Sequence, residues 1–544
     1  MWLAAGCVAV VAVCAVRALL DRYVPLDDNA VTEARARDVF SVRVPLIGTV
    51  SSVTQIGNGV VNHPGPLLFD LLALPVRLFP HGSGVAVGVA MIHIATIVTM
   101  LWCSRRLLGD AGACVVMAVA AGFLWSLGSE AWYEVWQPVV PMLPFLLALV
   151  SMWALAAGHD AAAVPAVVAT SFAVQTHGSY LLLGPSLLLV AVVCRWVLTP
   201  RPSVSRRPLI AAGVVGVLVW LQPIVDQLVG SHNMSALRQQ AMDGQEGRSL
   251  GFAAAVRAAA MVLVKPPLWL RPGVDSSLPN SGGMQPSPEG AVFDPNWMPF
   301  PVAAVGLLAL VGVIGLVGYV GVRRHDRVIA AGAVVAVAAV VFAVGSLAGL
   351  PVDAFGFTAH KCRWLWPIGA YITAFAFAAL IRLGIAASAR QASLAAAIVG
   401  AVALAATLPT SYQLVSAQQY MVPSQGPARA LRIAVGALEG RGVVFLDLSS
   451  RPFPDPYNDT LAAEMVARGI EFRVEGDYVV AQYGAGRRLD PGDRVDITVR
   501  TFIGSEAPSV PDDWDVLADI SSETQWVILA AHAGLVRTFA APND

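Results

Sequence analysis

The sequence predicts an all-α polytopic membrane protein of about eleven transmembrane helices, followed by a small C-terminal extracytoplasmic α/β domain. Three observations carry this. Across 544 residues, 56% are apolar and only 13% charged, with a mean hydropathy of +0.66, far from the balance of water-soluble domains. The charges cluster between long apolar runs, and basic clusters fall in every second loop. The composition then changes sharply near Ser424.

A span needs roughly 20 apolar residues. Eleven runs qualify: Met1 to Leu20, Val85 to Cys103, Ala113 to Leu127, Val139 to Ala157, Ala161 to Thr176, Tyr180 to Leu198, Ile210 to Leu228, Val302 to Val322, Val328 to Leu347, Trp364 to Leu383, and Leu394 to Leu408. The third, fifth and eleventh are short. The first lacks the basic start and small-residue cleavage site of a signal peptide and reads as a retained span.

Arg105 and Arg106, Arg195 to Arg207, Arg323 to Arg327, and Arg390 follow spans two, six, eight and ten. The positive-inside rule puts these loops in the cytoplasm. The expected location is therefore the plasma (inner) membrane, with a cytoplasmic N-terminus. Only the Gly158-His159-Asp160 hairpin carries no orientation signal. Residues 1–410 form the membrane domain, with long outer loops at 21–84 and 229–301. The first contains a helical stretch, Thr32 to Phe40, and an apolar, Pro-bounded segment from Pro66 suited to lying in the interface. The second contains a helix at Phe252 to Val264, then an irregular Pro/Gly/Ser-rich run from Lys265 to Asn296.

The tail domain, 424–544, carries eleven Arg, no Lys and eighteen Asp plus Glu from Arg429 onward. Gly442 to Asp447, Tyr478 to Gln482, Arg494 to Arg500 and Trp526 to Ala530 read as strands, and Thr460 to Arg468 as a helix. It has no glycine-rich phosphate loop.

A net charge of -1 gives no support for a nucleic-acid partner. The six cysteines mostly lie in apolar runs without a CxxC pair, so neither a disulfide framework nor a metal site is indicated.

Two stretches could carry chemistry. Leu26-Asp27-Asp28-Asn29-Ala30-Val31-Thr32-Glu33 sets two adjacent carboxylates at the outer end of the first span. Like charges raise the pKa of one member, so one could act as a base while the other binds a donor group or metal; the plain alternative is two solvated loop carboxylates. In Asn62-His63-Pro64-Gly65-Pro66, the prolines fix a turn that presents His63, a phosphate ligand when charged and a hydrogen-bond donor when neutral.

In this order and on this side of the membrane, these stretches resemble the GT-C superfamily of membrane glycosyltransferases. The branch they resemble holds the protein O-mannosyltransferases, the aminoarabinose transferases and actinobacterial relatives. Tyr133-Glu134-Val135-Trp136-Gln137-Pro138 resembles the family's second outer loop, and Val174 to Tyr180 resembles the actinobacterial members. The chain departs from the pattern at Asp28, where the mannosyltransferases have Glu, and at Gln137, where Asn or Asp is usual. Glu130 and Glu134 flank that place.

The resemblance implies inverting transfer of a sugar, arabinofuranose or mannose, from a polyprenyl-phosphate donor to a cell-envelope glycan, lipid or protein acceptor. Asp27 or Asp28 would be the base. Glu33, Asn62, His63, Glu130, Glu134, Gln137 and His177 would bind substrate, while Lys265, Arg271, Lys361 and Arg363 would hold the lipid phosphate. The resemblance implies no definite cofactor, and a divalent cation stays open. The competing readings are a transporter or flippase for lipid-linked precursors, with Asp226 and Arg17 as its few intramembrane charges, and a non-catalytic glycan-binding assembly protein.

Overall fold

The computed structural model describes residues 1–51, 54, 59–79, 82–128, 130–198, 206–243, 249–264, 284–287, 290–293, 298–352, 357–385, 388–411, 421–449, 455–522 and 525–536. The membrane part comprises α1 (Trp2–Leu20), α2 (Asp28–Asp38), α3 (Leu67–Leu78), α4 (Ser83–Leu127), α5 (Met142–Ala156), α6 (Ala163–Thr176), α7 (Leu183–Leu198), α8 (Arg206–Val219), α9 (Leu221–Val229), α10 (Asn233–Asp243), α11 (Phe252–Leu263), the hairpin β1 (Met284–Ser287) and β2 (Gly290–Phe293), α12 (Phe300–Arg323), α13 (Arg327–Ala348), α14 (Leu365–Arg382) and α15 (Ala389–Ser411). The tail comprises α16 (Met421–Ala434), β3 (Val444–Leu446), α17 (Asn458–Arg468), β4 (Phe472–Arg473), α18 (Asp477–Tyr483), β5 (Ile497–Gly504), β6 (Asp515–Ser521) and β7 (Trp526–Ala533).

A helix lies at each of the eleven predicted spans. Among the described residues, seven are long and apolar enough to cross a bilayer, or eight if α8 and α9, bent by 47°, form one span. The 45 residues of α4 would extend about 68 Å, roughly twice a bilayer core. Gly109, at φ 70° and ψ −172°, breaks it into two arms matching the second and third predicted runs. Helices α5 and α6 are shorter than a bilayer is thick. Every residue of α5 is buried, so it forms the centre of the bundle and has no polar face. Trp153 donates to the carbonyl of Val328 at 2.7 Å and packs against Gly332, where a Cβ would lie 2.6 Å from its ring. Close approach through a small residue is the usual way that membrane helices gain packing. This is a multi-pass membrane protein.

The structure brings Trp102 to Arg106, the Gly158-His159-Asp160 hairpin and Pro208 together at one end of the bundle. The loops that the sequence assigns to the other side gather at the opposite end. There α3 forms at the Pro-bounded segment, burying Leu68, Leu72 and Val76 and exposing Leu71, Leu74 and Leu78.

The tail is a five-stranded sheet of order β4-β3-β5-β7-β6, parallel between β4, β3 and β5 and antiparallel beyond. Two expectations change. Tyr478 to Gln482 belongs to α18, which buries Val480 and Tyr483 three residues apart and is bounded by Gly476 and Gly484 at positive φ. The run read as irregular between Lys265 and Asn296 contains the β1–β2 hairpin. The tail core of Leu431, Val444, Leu461, Met465, Val499 and Leu529 also takes in Val24, Leu26 and Val31 from the first outer loop.

Candidate functional site

Asp27 caps α2 with a backbone at φ 48°, ψ −134°, a conformation L-residues seldom adopt. Such strain costs on the order of 1–3 kcal/mol and persists only where the surroundings enforce it. The chain leading into it is held by the tail. The Val24 N–H donates to Gln425 Oε1 and Gln425 Nε2 donates back to the Val24 carbonyl, both at 2.9 Å. Thr460 Oγ1 donates to the Pro25 carbonyl at 3.0 Å, and Arg429 to that of Asp21 at 2.6 Å. Leu26 is wholly buried. Asp27 and Asp28 are themselves half-buried.

From this pair the site extends along the second outer loop. Thr32 Oγ1 donates to the Asp28 carbonyl at 2.9 Å and accepts from Gln137 at 3.0 Å. Beside them Asn29 donates to the Tyr23 hydroxyl at 3.4 Å, and the Tyr23 ring meets that of Tyr133 at 5.1 Å. Burial, then the buried Glu134 carboxylate, holds the Tyr23 phenol well above its ordinary range.

Trp136, next to Gln137 in the chain, carries the site to a third loop. The Arg363 guanidinium sits 5.4 Å from its ring centre and the His360 ring 5.9 Å away. His360 Nε2 lies 3.2 Å from Thr358 Oγ1, and Lys361 donates to the Pro351 carbonyl at 3.3 Å. Arg363 is within electrostatic reach of Tyr180, whose ring stands 6.5 Å from His177.

His177 in turn lies 5.0 Å from His63. The turn bearing His63 is docked on the end of α6: a Cβ at Gly65 would come within 2.3 Å of Gln175 Oε1, which accepts the Leu67 N–H at 3.3 Å. His63 Nδ1 accepts the Gly178 N–H at 3.1 Å, and His177 Nδ1 accepts the Ser179 N–H at 3.4 Å. The neutral His63 ring therefore carries its proton on Nε2, while His177 Nδ1 also lies 2.7 Å from the Ser179 hydroxyl, a contact that either tautomer makes. Burial, and for His63 also the neighbouring His177, pushes both below the ordinary imidazole range. Both are neutral donors at pH 7.

A run of neighbouring contacts thus links Asp28, Gln137, Trp136, Arg363, Tyr180, His177 and His63, with Asp27 next to Asp28 and Lys361 two residues from Arg363 in the chain. It separates two expected members. Glu33 faces the tail: its wholly buried carboxylate accepts from Arg37 at 3.0 Å and from Arg432, which also reaches Glu464. Burial raises its pKa, but those two cations outweigh burial and hold it low. Asn62 is a brace, donating to the carbonyls of Gly48 and Ala481 and exchanging hydrogen bonds with Asn233. Glu130 lies in a short turn, Glu130–Trp132, with its side chain outside the described residues. Lys265 and Arg271 also lie outside them.

Sequence reasoning missed Thr32, Tyr23, His360 and Gln425. His360 had a signal, as the neighbour of Lys361 in an outer loop. Gln425 had none, because its partner is 401 residues away.

Among the described residues no group of three or more His, Cys, Asp and Glu side chains could hold a metal ion.

No protein-family model matches the sequence, and no curated protein matches it. Solved structures do. ArnT from Cupriavidus metallidurans bound to undecaprenyl phosphate is 14% identical, with a TM-score of 0.51, over 97% of this chain and 98% of that one. The chain has the GT-C fold. The apo form of ArnT aligns at 13% identity and a TM-score of 0.48, covering 96% of this chain and 97% of that one. The Archaeoglobus fulgidus oligosaccharyltransferase in complex with zinc and sulfate aligns at 12% and 0.37, covering 87% and 68%.

Proposed function

We propose that this protein is a membrane glycosyltransferase that moves a sugar from a polyprenyl-phosphate donor to an acceptor hydroxyl on the extracytoplasmic face. The observation that supports this most is the acid pair, set at a strained turn on a GT-C fold and linked by successive side-chain contacts to Arg363 and two neutral imidazoles. Undecaprenyl phosphate bound to ArnT, a structural neighbour, points to the same donor class.

The chemistry follows from the residues. The acceptor oxygen attacks the anomeric carbon from the face opposite the phosphate, giving inversion. Its proton passes to the carboxylate of Asp27 or Asp28, and the anomeric C–O bond breaks with its electron pair on the phosphate oxygen. Arg363, the Nε2–H of His63 and the ring of His177 hold the departing phosphate, as fixed donors and charge do in electrostatic catalysis. Gln137 keeps α2 in register with the second loop. Arabinofuranose and mannose are the candidate sugars, and an envelope glycan, lipid or protein the acceptor.

The test compares Asp27→Asn, Asp28→Asn and the double variant in membranes supplied with labelled polyprenyl-phosphate sugar. Loss of a general base lowers turnover by about 10²- to 10⁴-fold. Undiminished transfer in the double variant would reject the assignment.

A further inference from the structure

At the end of the bundle opposite the acid pair, α4, the α5–α6 hairpin and the start of α8 enclose a cavity of about 330 Å³, lined among others by Trp102, Arg106, Gly158, His159, Asp160 and Pro208. None of these serves the reaction above.

The charges here are unevenly matched. Asp160 is spanned by Arg195 at 2.6 and 3.2 Å, both residues being buried, so this wall is close to neutral. Arg195 also keeps a buried Nη1 with no acceptor among the described residues. Arg105 is paired with Asp110 at 2.8 Å. Arg106 has no carboxylate partner among the described residues; its exposed guanidinium lies 4.5 Å from the centre of the Trp102 ring. Exposed Arg206 and Arg207 directly precede Pro208. The cavity therefore has excess positive charge, and a guanidinium steadied on an aromatic ring presents the planar fork that binds phosphate oxygens in pairs.

Its flank is apolar. Beyond Pro208, α8 turns Ile210, Val214, Val217 and Leu218 outward, and Trp102 is itself 37% exposed. A cationic cavity flanked by an apolar helix face matches a ligand with a phosphate head and acyl chains. From this geometry we infer that the cavity binds the phosphodiester headgroup of an anionic phospholipid, held by Arg106. His159, half-buried beside Arg106, adds a hydrogen-bonding ring.

The test uses the full chain in neutral detergent, with native mass spectrometry reading bound phosphatidylglycerol, phosphatidylcholine and inorganic phosphate. Retention of phosphatidylglycerol over phosphatidylcholine is expected. Arg106→Gln should weaken it about tenfold, the loss of one charge-assisted contact, and Arg106→Lys, which keeps the charge but loses the planar fork, should retain only part of it. Arg323→Gln removes a similar exposed Arg–aromatic pair elsewhere, with Tyr319, and should change nothing. Equal loss in both Gln variants would mean diffuse surface charge, and unchanged binding in Arg106→Gln would mean no site; either overturns the proposal. Full displacement of the lipid by millimolar inorganic phosphate would overturn the lipid assignment in favour of a soluble anion.

Discussion

His63 shows how much of the site turns on protonation. Its Nδ1 is already occupied by the Gly178 N–H, so only Nε2 is left to face a ligand, and only as a donor while the ring is neutral. His63→Gln can keep an acceptor near Gly178, whereas His63→Ala strands that N–H at a cost of about 1–3 kcal/mol. We expect Ala to lower both the melting temperature and donor binding, and Gln to lower donor binding alone; isothermal titration with polyprenyl phosphate, beside melting curves, separates them. Acid should also destabilise the protein in two stages. Both imidazoles titrate below the ordinary value near 6.5, so the unfolded chain binds more protons as pH falls from there, and stability drops. Glu33, held low by its cations, adds its own loss only below the ordinary glutamate value near 4.3. Denaturation midpoints flat between pH 7 and 5 would contradict the first stage, and His63→Gln with His177→Gln should flatten that part of the curve.

Helix α2 shows where a sequence can and cannot be read. Asp28 to Asp38 has almost no apolar stripe; charged pairs along its own surface hold it, Glu33 with Arg37 and Arg35 with Asp38. A helical stretch was legible there from Thr32 onward, as hydrophobic length made each span legible. The far partners were not. Arg432 meets Glu33 across 399 residues, and Arg487 grips Asp38 across 449, pairings without local signal. An acidic residue five positions after Asp28 therefore looked like a substrate ligand when it is a docking charge. Likewise, α18 was too short for its spacing to separate helix from strand until Val480 and Tyr483 found the core. The network makes a quantitative claim. Arg432→Ala leaves Glu33 and Glu464 partly unpaired in a buried site and should cost about 3–5 kcal/mol. Arg468→Ala, on the partly exposed side of Glu464, should cost under about 1 kcal/mol. Urea titrations of the two variants measure the contrast, and equal losses would mean that the buried charges are not the docking element.

At the scale of the whole molecule, the tail domain and the first outer loop are one folded unit. Val24, Leu26 and Val31 sit in the tail's core, and the backbone leading to Asp27 is hydrogen-bonded to tail side chains. The tail therefore holds the backbone that leads to Asp27, which ties the base of the proposed reaction to a domain that lies last in the chain. A domain serving only to capture acceptor would affect acceptor KM; one that shapes the acid pair would affect kcat. Gln425→Ala with Thr460→Val removes three hydrogen bonds from Val24 and Pro25 without touching the acid pair, Arg363 or the imidazoles. Misplacement of a reacting group by about 1 Å can cost roughly 10²-fold in rate. The double variant should lose kcat by about that factor while donor KM stays within about twofold, and hydrogen exchange at residues 23–28 should quicken. A folded variant with faster exchange and unchanged kcat would free the acid pair from the tail and leave that domain to the acceptor.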